Sequence, residues 1–409
     1  MKENKLKKTL GFWDVLMFGV GGIVWAGIYA IIGEAAALSG NMLWLSFILA
    51  AFVALLTGLS YAEFVSRFPD AGGSFEYIKQ AMGMKTATIM SVFMAFTGIV
   101  AAAAIAISFA DYLGRLTNIP SGLIVAGIIF LMAVFNAIGS KLSSYFNSIT
   151  TIITLLGLGF VIVVALPNFG NVEFLEKTEA GWHGIFAGSA LIFFSYIGFE
   201  DLVKMAEETK NAKKNMPRTI ISSSIIVLIV YVLIAISALG TLDWKTLANA
   251  EGPLAAVIES EMGSIGANLL IVVALFATSK TILTNILGTS RLLFDVARDS
   301  KTDWMKKLTT LSGPGNAPLY AIGLITLVSI IFGVMGNLKV VASISNIFIF
   351  IVFGMVNIAL LKLRHKKKAR KEEKPPFRVP LNVKNIPVPT VLALLSILMF
   401  FGYSIYNIL

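Results

Sequence analysis

The sequence has no cysteine and only two histidines, His183 and His365, in 409 residues. Without cysteine there is no disulfide framework, no cysteine-ligated zinc or iron–sulfur site and no thiol nucleophile. Two histidines far apart in the chain do not make a metal site or a catalytic dyad, so no metal, no cofactor and no enzyme activity is expected. Charge is also scarce: Asp, Glu, Lys and Arg together make up 14% of the chain, where an ordinary soluble domain has about a quarter. What is abundant is hydrocarbon, with 57% hydrophobic residues and a mean hydropathy of +0.83. The composition is that of a membrane protein. The formal charge of +10 would suit nucleic acid only on a basic face of a soluble domain, and no soluble segment is long enough to build one. A Gly-x-x-x-x-Gly-Lys-Ser/Thr phosphate loop is likewise missing, which leaves gradients or exchange as the energy source.

A helix rises about 1.5 Å per residue, so crossing about 30 Å of hydrocarbon takes roughly 20 apolar residues. Eleven stretches qualify, near 12–36, 43–65, 87–112, 119–138, 147–167, 183–203, 218–240, 265–292, 317–335, 340–362 and 388–408. The first is too long for a signal-peptide core and is read as retained. Most of the 33 Lys and Arg fall in the N-terminal segment and in every second connection, above all Lys362 to Lys374. The connections between hold only Arg115, Lys177, Lys245 and Lys339. The positive-inside rule then puts the N-terminus in the cytoplasm and, after eleven spans, the C-terminus outside the cytoplasmic membrane. Cytoplasmic-loop charge facing anionic headgroups explains the basic excess. No loop is large enough for a catalytic domain; the longest outer one carries a short surface helix around Leu254 to Met262.

Glycine is unfavourable inside a membrane helix unless the backbone itself is used there. The first span contains Gly19, Gly21, Gly22, Gly27 and Gly33, and the sixth carries Phe194-Ser195-Tyr196-Ile197-Gly198-Phe199 followed by Glu200 and Asp201. Any one of these glycines also fits close helix packing. As a pair, two interrupted spans five apart point to a transporter's central site, with spans 1–5 and 6–10 as inverted repeats. Unwound backbone offers N–H groups and a helix N-terminus to a carboxylate, and free carbonyls to an ammonium. A zwitterion such as an amino acid matches both halves.

Five ordered segments resemble one family. They are Tyr61-Ala62-Glu63 with Phe68-Pro69-Asp70-Ala71-Gly72-Gly73-Ser74-Phe75-Glu76-Tyr77; the broken sixth span itself; Glu207-Glu208-Thr209-Lys210-Asn211 to Asn215-Met216-Pro217-Arg218; Gly288-Thr289-Ser290-Arg291-Leu292-Leu293-Phe294 to Ala297-Arg298-Asp299; and Phe377-Arg378-Val379-Pro380-Leu381. Together they are similar to the amino acid–polyamine–organocation transporters over nearly the whole chain. The resemblance implies an all-α polytopic membrane protein with a five-plus-five inverted repeat: repeat one at about 10–168, repeat two at about 182–363 and an extra C-terminal helix at about 388–408, all one transporter domain. It also implies a bundle of spans 1, 2, 6 and 7 rocking against a scaffold. Substrate would sit between the breaks, at Ile23, Trp25, Ala26, Gly27 and Ile28 and at Phe194, Ser195, Tyr196 and Gly198.

Two positions depart from the family pattern. Trp25 stands where a small residue is usual, and either packs against the scaffold or shapes the pocket, where it would shrink it or stack on a cationic or aromatic substrate. On span five the family's sodium-independent members carry a lysine, which here looks to be replaced by Thr154, while Lys280 lies on span eight at a similar depth of about 14 to 17 Å from the membrane edge. The ammonium is read as having moved to the neighbouring helix, with hydroxyls of Thr154, Thr278, Ser279 and Thr281 and carbonyls of span one around it. Such a group is either a proton-linked switch or a fixed strut. Tyr29, Glu34 and Glu200 are gate candidates; Glu200 or Asp201 would pair with Lys280 or line the inner path, and Glu63 with Arg67 would form an ordinary surface pair. The expected function is secondary transport of amino acids, proton-coupled or sodium-independent, with an amine or polyamine exchanger and a non-transporting sensor as alternatives. The expected partners are a small amino acid or amine, protons and the lipid bilayer, and no nucleic acid.

Overall fold

The computed structural model describes residues 8–24, 26–69, 73–138, 140–168, 170, 172–298, 303–312, 317–369 and 375–409. Trp25, Asp70 to Gly72 and Asp299 lie outside the described residues. The first predicted span is two helices, α1 (Phe12–Ile23) and α2 (Gly27–Ser39). α1 starts where the Gly11 N–H donates to Asp14 Oδ2 at 2.8 Å, filling one of the donors that a helix N-terminus leaves open. α2 turns at Gly40, whose φ of 61° suits glycine, into α3 (Leu43–Arg67).

Next come α4 (Gly73–Met82), α5 (Met84–Gly114), α6 (Ser121–Ile138) and α7 (Ser140–Ala165). The sixth predicted span is broken, as its sequence suggests. α8 (Gly181–Ile192) tightens into a 3₁₀ turn at Phe193–Tyr196, Ile197 is extended, Gly198 has φ 133°, and α9 (Phe199–Leu202) resumes. Then follow α10 (Ala212–Thr241), α11 (Trp244–Asn249), α12 (Pro253–Arg298), α13 (Asp303–Lys307), α14 (Leu319–Met335), α15 (Leu338–Ala369) and α16 (Val388–Tyr406). Between α15 and α16 sits a small hairpin, β1 (Asn382–Val383) with β2 (Ile386–Pro387). Its two turn residues, Lys384 and Asn385, have φ of 47° and 81°, the sign that a two-residue hairpin turn requires.

All eleven predicted stretches fall on helix. Among the described residues nine helical stretches are long and apolar enough to cross a membrane, and Phe12–Ile23 and Leu319–Met335 are shorter apolar helices. Large side chains such as Phe130, Ile152, Leu156, Val163 and Leu398 are exposed on the outside of the bundle, the arrangement for a lipid-facing surface. Inside, the run Ala101 to Ala104 is fully buried and lets α5 pack closely on α12 and α15.

Two expectations change. The outer-loop helix around Leu254 to Met262 is the first part of α12, which bends at Gly263 (φ 67°); Leu254, Val257 and Ile258 are fully buried, so only its far face is surface. Glu63 and Arg67 are not a surface pair. Glu63 has no exposed surface and accepts from Arg67 Nη2 at 2.7 Å, from Arg364 Nε of α15 at 2.9 Å and from the Val379 backbone N–H at 2.9 Å, with a further bond to Arg364 Nη2. A buried carboxylate needs this many donors to stay charged. Spacing of four suggested only the local partner; Arg364 and Val379 come from some 300 residues away.

Candidate functional site

The breaks of α1–α2 and α8–α9 meet in the middle of the bundle. A Cβ on Gly27 would come within 2.8 Å of Ser195 Cα, and one on Gly198 within 2.5 Å of Gly22 O. Both glycines are therefore required by close approach, Gly198 also by its φ. Ile23, Ala26, Ile28, Phe194, Ser195 and Tyr196 are all buried, and the close approaches bring Gly27 against Ser195 and Gly198 against Gly22 and Ile23. Trp25 falls outside the described residues.

Helix ends leave backbone groups unpaired, and here neighbouring side chains take them up. The Ala26 N–H donates to Thr281 Oγ1 on α12 at 3.2 Å. Ile23 O and Ser195 O each accept from the hydroxyl of Tyr231 on α10, both at 3.1 Å. Behind the sixth-span break, Asn346 Nδ2 of α15 donates to Ala190 O at 2.7 Å and to Leu191 O at 3.2 Å. The Tyr231 ring stands edge-on to Tyr196 and Phe47, with centroids 5.2 and 5.8 Å apart. Tyr196 is anchored in turn by its hydroxyl on Phe47 O at 3.1 Å.

Tyr231 and Asn346 were missed by sequence reasoning. Tyr231 is a single polar side chain in an apolar run, Ile-Val-Tyr-Val-Leu, and Asn346 is an amide inside the span segment Ser-Ile-Ser-Asn-Ile-Phe. A polar group inside a span is the signal that points to them.

Lys280 is 4% exposed, and its Nζ donates to Gly21 O at 3.0 Å, two residues before α1 ends. The expectation that carbonyls of the first span would hold it agrees with that bond. The bond from Nζ goes to that carbonyl, and the four hydroxyls expected around it donate to their own helices. Thr154 Oγ1 donates to Thr150 O, Ser279 Oγ to Leu275 O, Thr278 Oγ1 to Ala274 O and Thr281 Oγ1 to Ala277 O, at 2.6 to 2.9 Å. A hydroxyl on a helix bonds its own i−4 carbonyl by default. Nor do the acids after the second break pair with Lys280: Asp201 Oδ1 accepts from Lys204 at 2.5 Å, and Glu200 Oε2 is buried without a partner.

Tyr29 is fully buried, its hydroxyl 3.4 Å from Thr154 O and its own carbonyl accepting from Tyr112 at 3.2 Å. It also lines a cavity toward the end of the bundle that carries the α2–α3 turn. That cavity holds about 340 Å³ of space including its mouth, and Glu34, Asp111, Ser108, Gly252 and Leu338 share its wall.

A family model described as amino acid permease matches residues 10–407. The chain belongs to that family; it is a multi-pass membrane transport protein and not an enzyme. It is similar to the branched-chain amino acid permease of Bacillus subtilis (strain 168), at 27% identity over 89% of this chain and 83% of that one. It is also similar to cationic amino acid transporter 1 of Arabidopsis thaliana, at 28% identity over 88% of this chain and 64% of the plant protein, so it spans about two thirds of that relative's length. A third relative, the methylthioribose transporter of Bacillus subtilis (strain 168), is 26% identical over 99% of this chain and 90% of the other.

Proposed function

We propose that the chain carries amino acids across the cytoplasmic membrane by alternating access about the two helix breaks, with Lys280 as a built-in cation. The observation that carries this reading is the meeting of both breaks in a buried centre, with an ammonium fixed beside the first of them. Backbone N–H groups at the start of α2 suit a carboxylate, and Ile23 O and Ser195 O suit an ammonium. In the reading, the two halves of the chain are inverted repeats, about 10–168 and 182–363, and α1–α2, α3, α8–α9 and α10 move as a bundle. The N-terminus lies in the cytoplasm, the C-terminus outside, and the cavity beside Tyr29 faces out.

Charged Lys280 holds α1 to α12 through Gly21 O. Losing the proton weakens a charge-assisted hydrogen bond to a neutral one, which frees the bundle to move. Transport is accordingly independent of sodium and coupled to protons. One observation favours a second reading, transport of cationic amino acids or amines: the carboxylates of Glu34 and Asp111 in the cavity wall.

Uptake into proteoliposomes of labelled L-alanine, L-leucine and L-arginine in sodium-free buffer, with and without an inward proton gradient, tests both. Gradient-driven accumulation by the wild type that vanishes in Lys280→Ala, with exchange retained, is expected. Equal uptake with and without the gradient sinks proton coupling and leaves Lys280 a strut. Preference for L-arginine selects the cationic reading.

A further inference from the structure

Ile23 closes α1 and Ser195 lies in the last turn before the break of the sixth span, so both carbonyls belong to helix ends that leave acceptors open. Each lies 3.1 Å from one hydroxyl, that of Tyr231. A phenol has one hydrogen and satisfies one of the two carbonyls at a time. Beside them Ser195 Oγ is buried and has no hydrogen-bond partner. The cluster is closed to solvent: Ile23 is 1% exposed, Ser195 and Tyr231 not at all. Buried acceptors short of donors are unfavourable. The group that makes up the shortage is a primary ammonium, with three hydrogens on one atom. The Tyr231 ring is pinned between Tyr196 and Phe47, so the hydroxyl is within reach of the carbonyls whether or not they are taken.

We propose that the Tyr231 hydroxyl is the resident occupant of the ammonium position. It holds Ile23 O and Ser195 O while the centre is empty and yields them to the substrate's ammonium, so it competes with that ammonium and sets how strongly the site favours ligands that carry one. The proposal rests on the amino acid reading above. A residue that only braced the two breaks would act on all ligands alike. A competitor acts on the ammonium alone.

Binding to the purified full-length protein in detergent separates the two. The probes are L-alanine, L-leucine and L-arginine, each with its desamino counterpart: propanoate, 4-methylpentanoate and 5-guanidinopentanoate. Tyr231→Phe keeps the ring and removes the competitor. The expected result is tighter binding of the amino acids that the wild type binds, by roughly three- to tenfold for one hydrogen bond, with the desamino acids unmoved. Replacing Tyr231 by 3-fluorotyrosine strengthens the donor and is expected to shift the same amino acids the other way. Equal or weaker amino acid binding by a folded Tyr231→Phe overturns the competitor role and leaves the transport reading standing. Should Tyr231→Phe fail to fold, the fluorotyrosine protein decides alone: weaker amino acid binding with desamino binding unchanged supports the proposal, and any other pattern overturns it. A wild type that binds none of the three amino acids overturns both readings.

Discussion

At the end of the bundle that carries the N-terminus, Glu63 is buried under Arg67, Arg364 and the Val379 N–H; at the opposite end, Glu34 and Asp111 line a cavity. The first end is sealed in layers. Leu10 pairs with the backbone of Glu208 and Lys210 at 3.0 and 2.8 Å, the Phe377 N–H donates to Ser66 Oγ at 2.9 Å, and Tyr61, Phe64, Tyr77, Phe199 and Phe353 interlock as aromatic neighbours. The second end has its own ties, among them the ion pair of Arg115 with Glu259, the bond of Tyr112 to Tyr29 O and the bond of Trp44 Nε1 to Phe174 O at 3.0 Å. Carboxylates at one end are tied into buried ion pairs, and at the other they line a cavity wall.

The largest effect is expected from breaking the seal. Arg364→Met removes two donors from buried Glu63 and leaves it to Arg67 and the Val379 N–H, a loss below the roughly 3–5 kcal/mol of a fully orphaned buried charge; thermal unfolding in detergent should show a lower midpoint. Next is the hinge between the ends. Gly198→Ala forces a Cβ against Gly22 O at a φ of 133°, strain of about 1–3 kcal/mol, and should abolish uptake even where the protein is still recovered folded. Smaller is the double change Glu34→Gln with Asp111→Asn. It should leave the unfolding midpoint unmoved and slow L-arginine entry relative to L-leucine by a few-fold, an effect that fades with added salt.

The smallest concerns a cap near the cavity end. Asp243 Oδ1 accepts the N–H groups of Lys245 and Thr246 at 2.9 and 3.1 Å, and the Thr246 hydroxyl beside it holds the carboxyl below its usual range, helped by those N–H groups. Asp243→Ala should lower stability by about 1 kcal/mol or less. A depressed carboxyl stabilises the fold above its unfolded value near 3.9 and loses that contribution as the pH falls through its lower folded value. The wild type and Asp243→Ala should therefore converge only below about pH 4.

The spans and both breaks were legible because their signals are local: apolar runs of the right length, and glycines where the backbone turns. Lys280 was legible because a cation inside a span is rare enough to need a reason. What stayed hidden depends on partners far away in the chain. Nothing near Tyr231 announces Ile23 or Ser195, and Arg364 is camouflaged near the head of the basic run Lys362 to Lys374. The hydroxyls of Thr154 and Ser279 were singled out by residue type and depth alone, and neither signal says whether a hydroxyl oxygen lies within reach of Nζ.

Lys280 reaches Gly21 O from a helix that cannot diffuse away. The concentration of positive charge at that oxygen is fixed by the length of a side chain and not by the solution, since a tethered group carries an effective concentration of its own. A dissolved ion must displace it, whereas a free ion in an open site would come and go with the medium. On the proposed reading of Lys280 as a built-in cation, a permease built this way would keep the same internal ion in brine and in fresh water, and its cycle would be insulated from the salinity of the habitat.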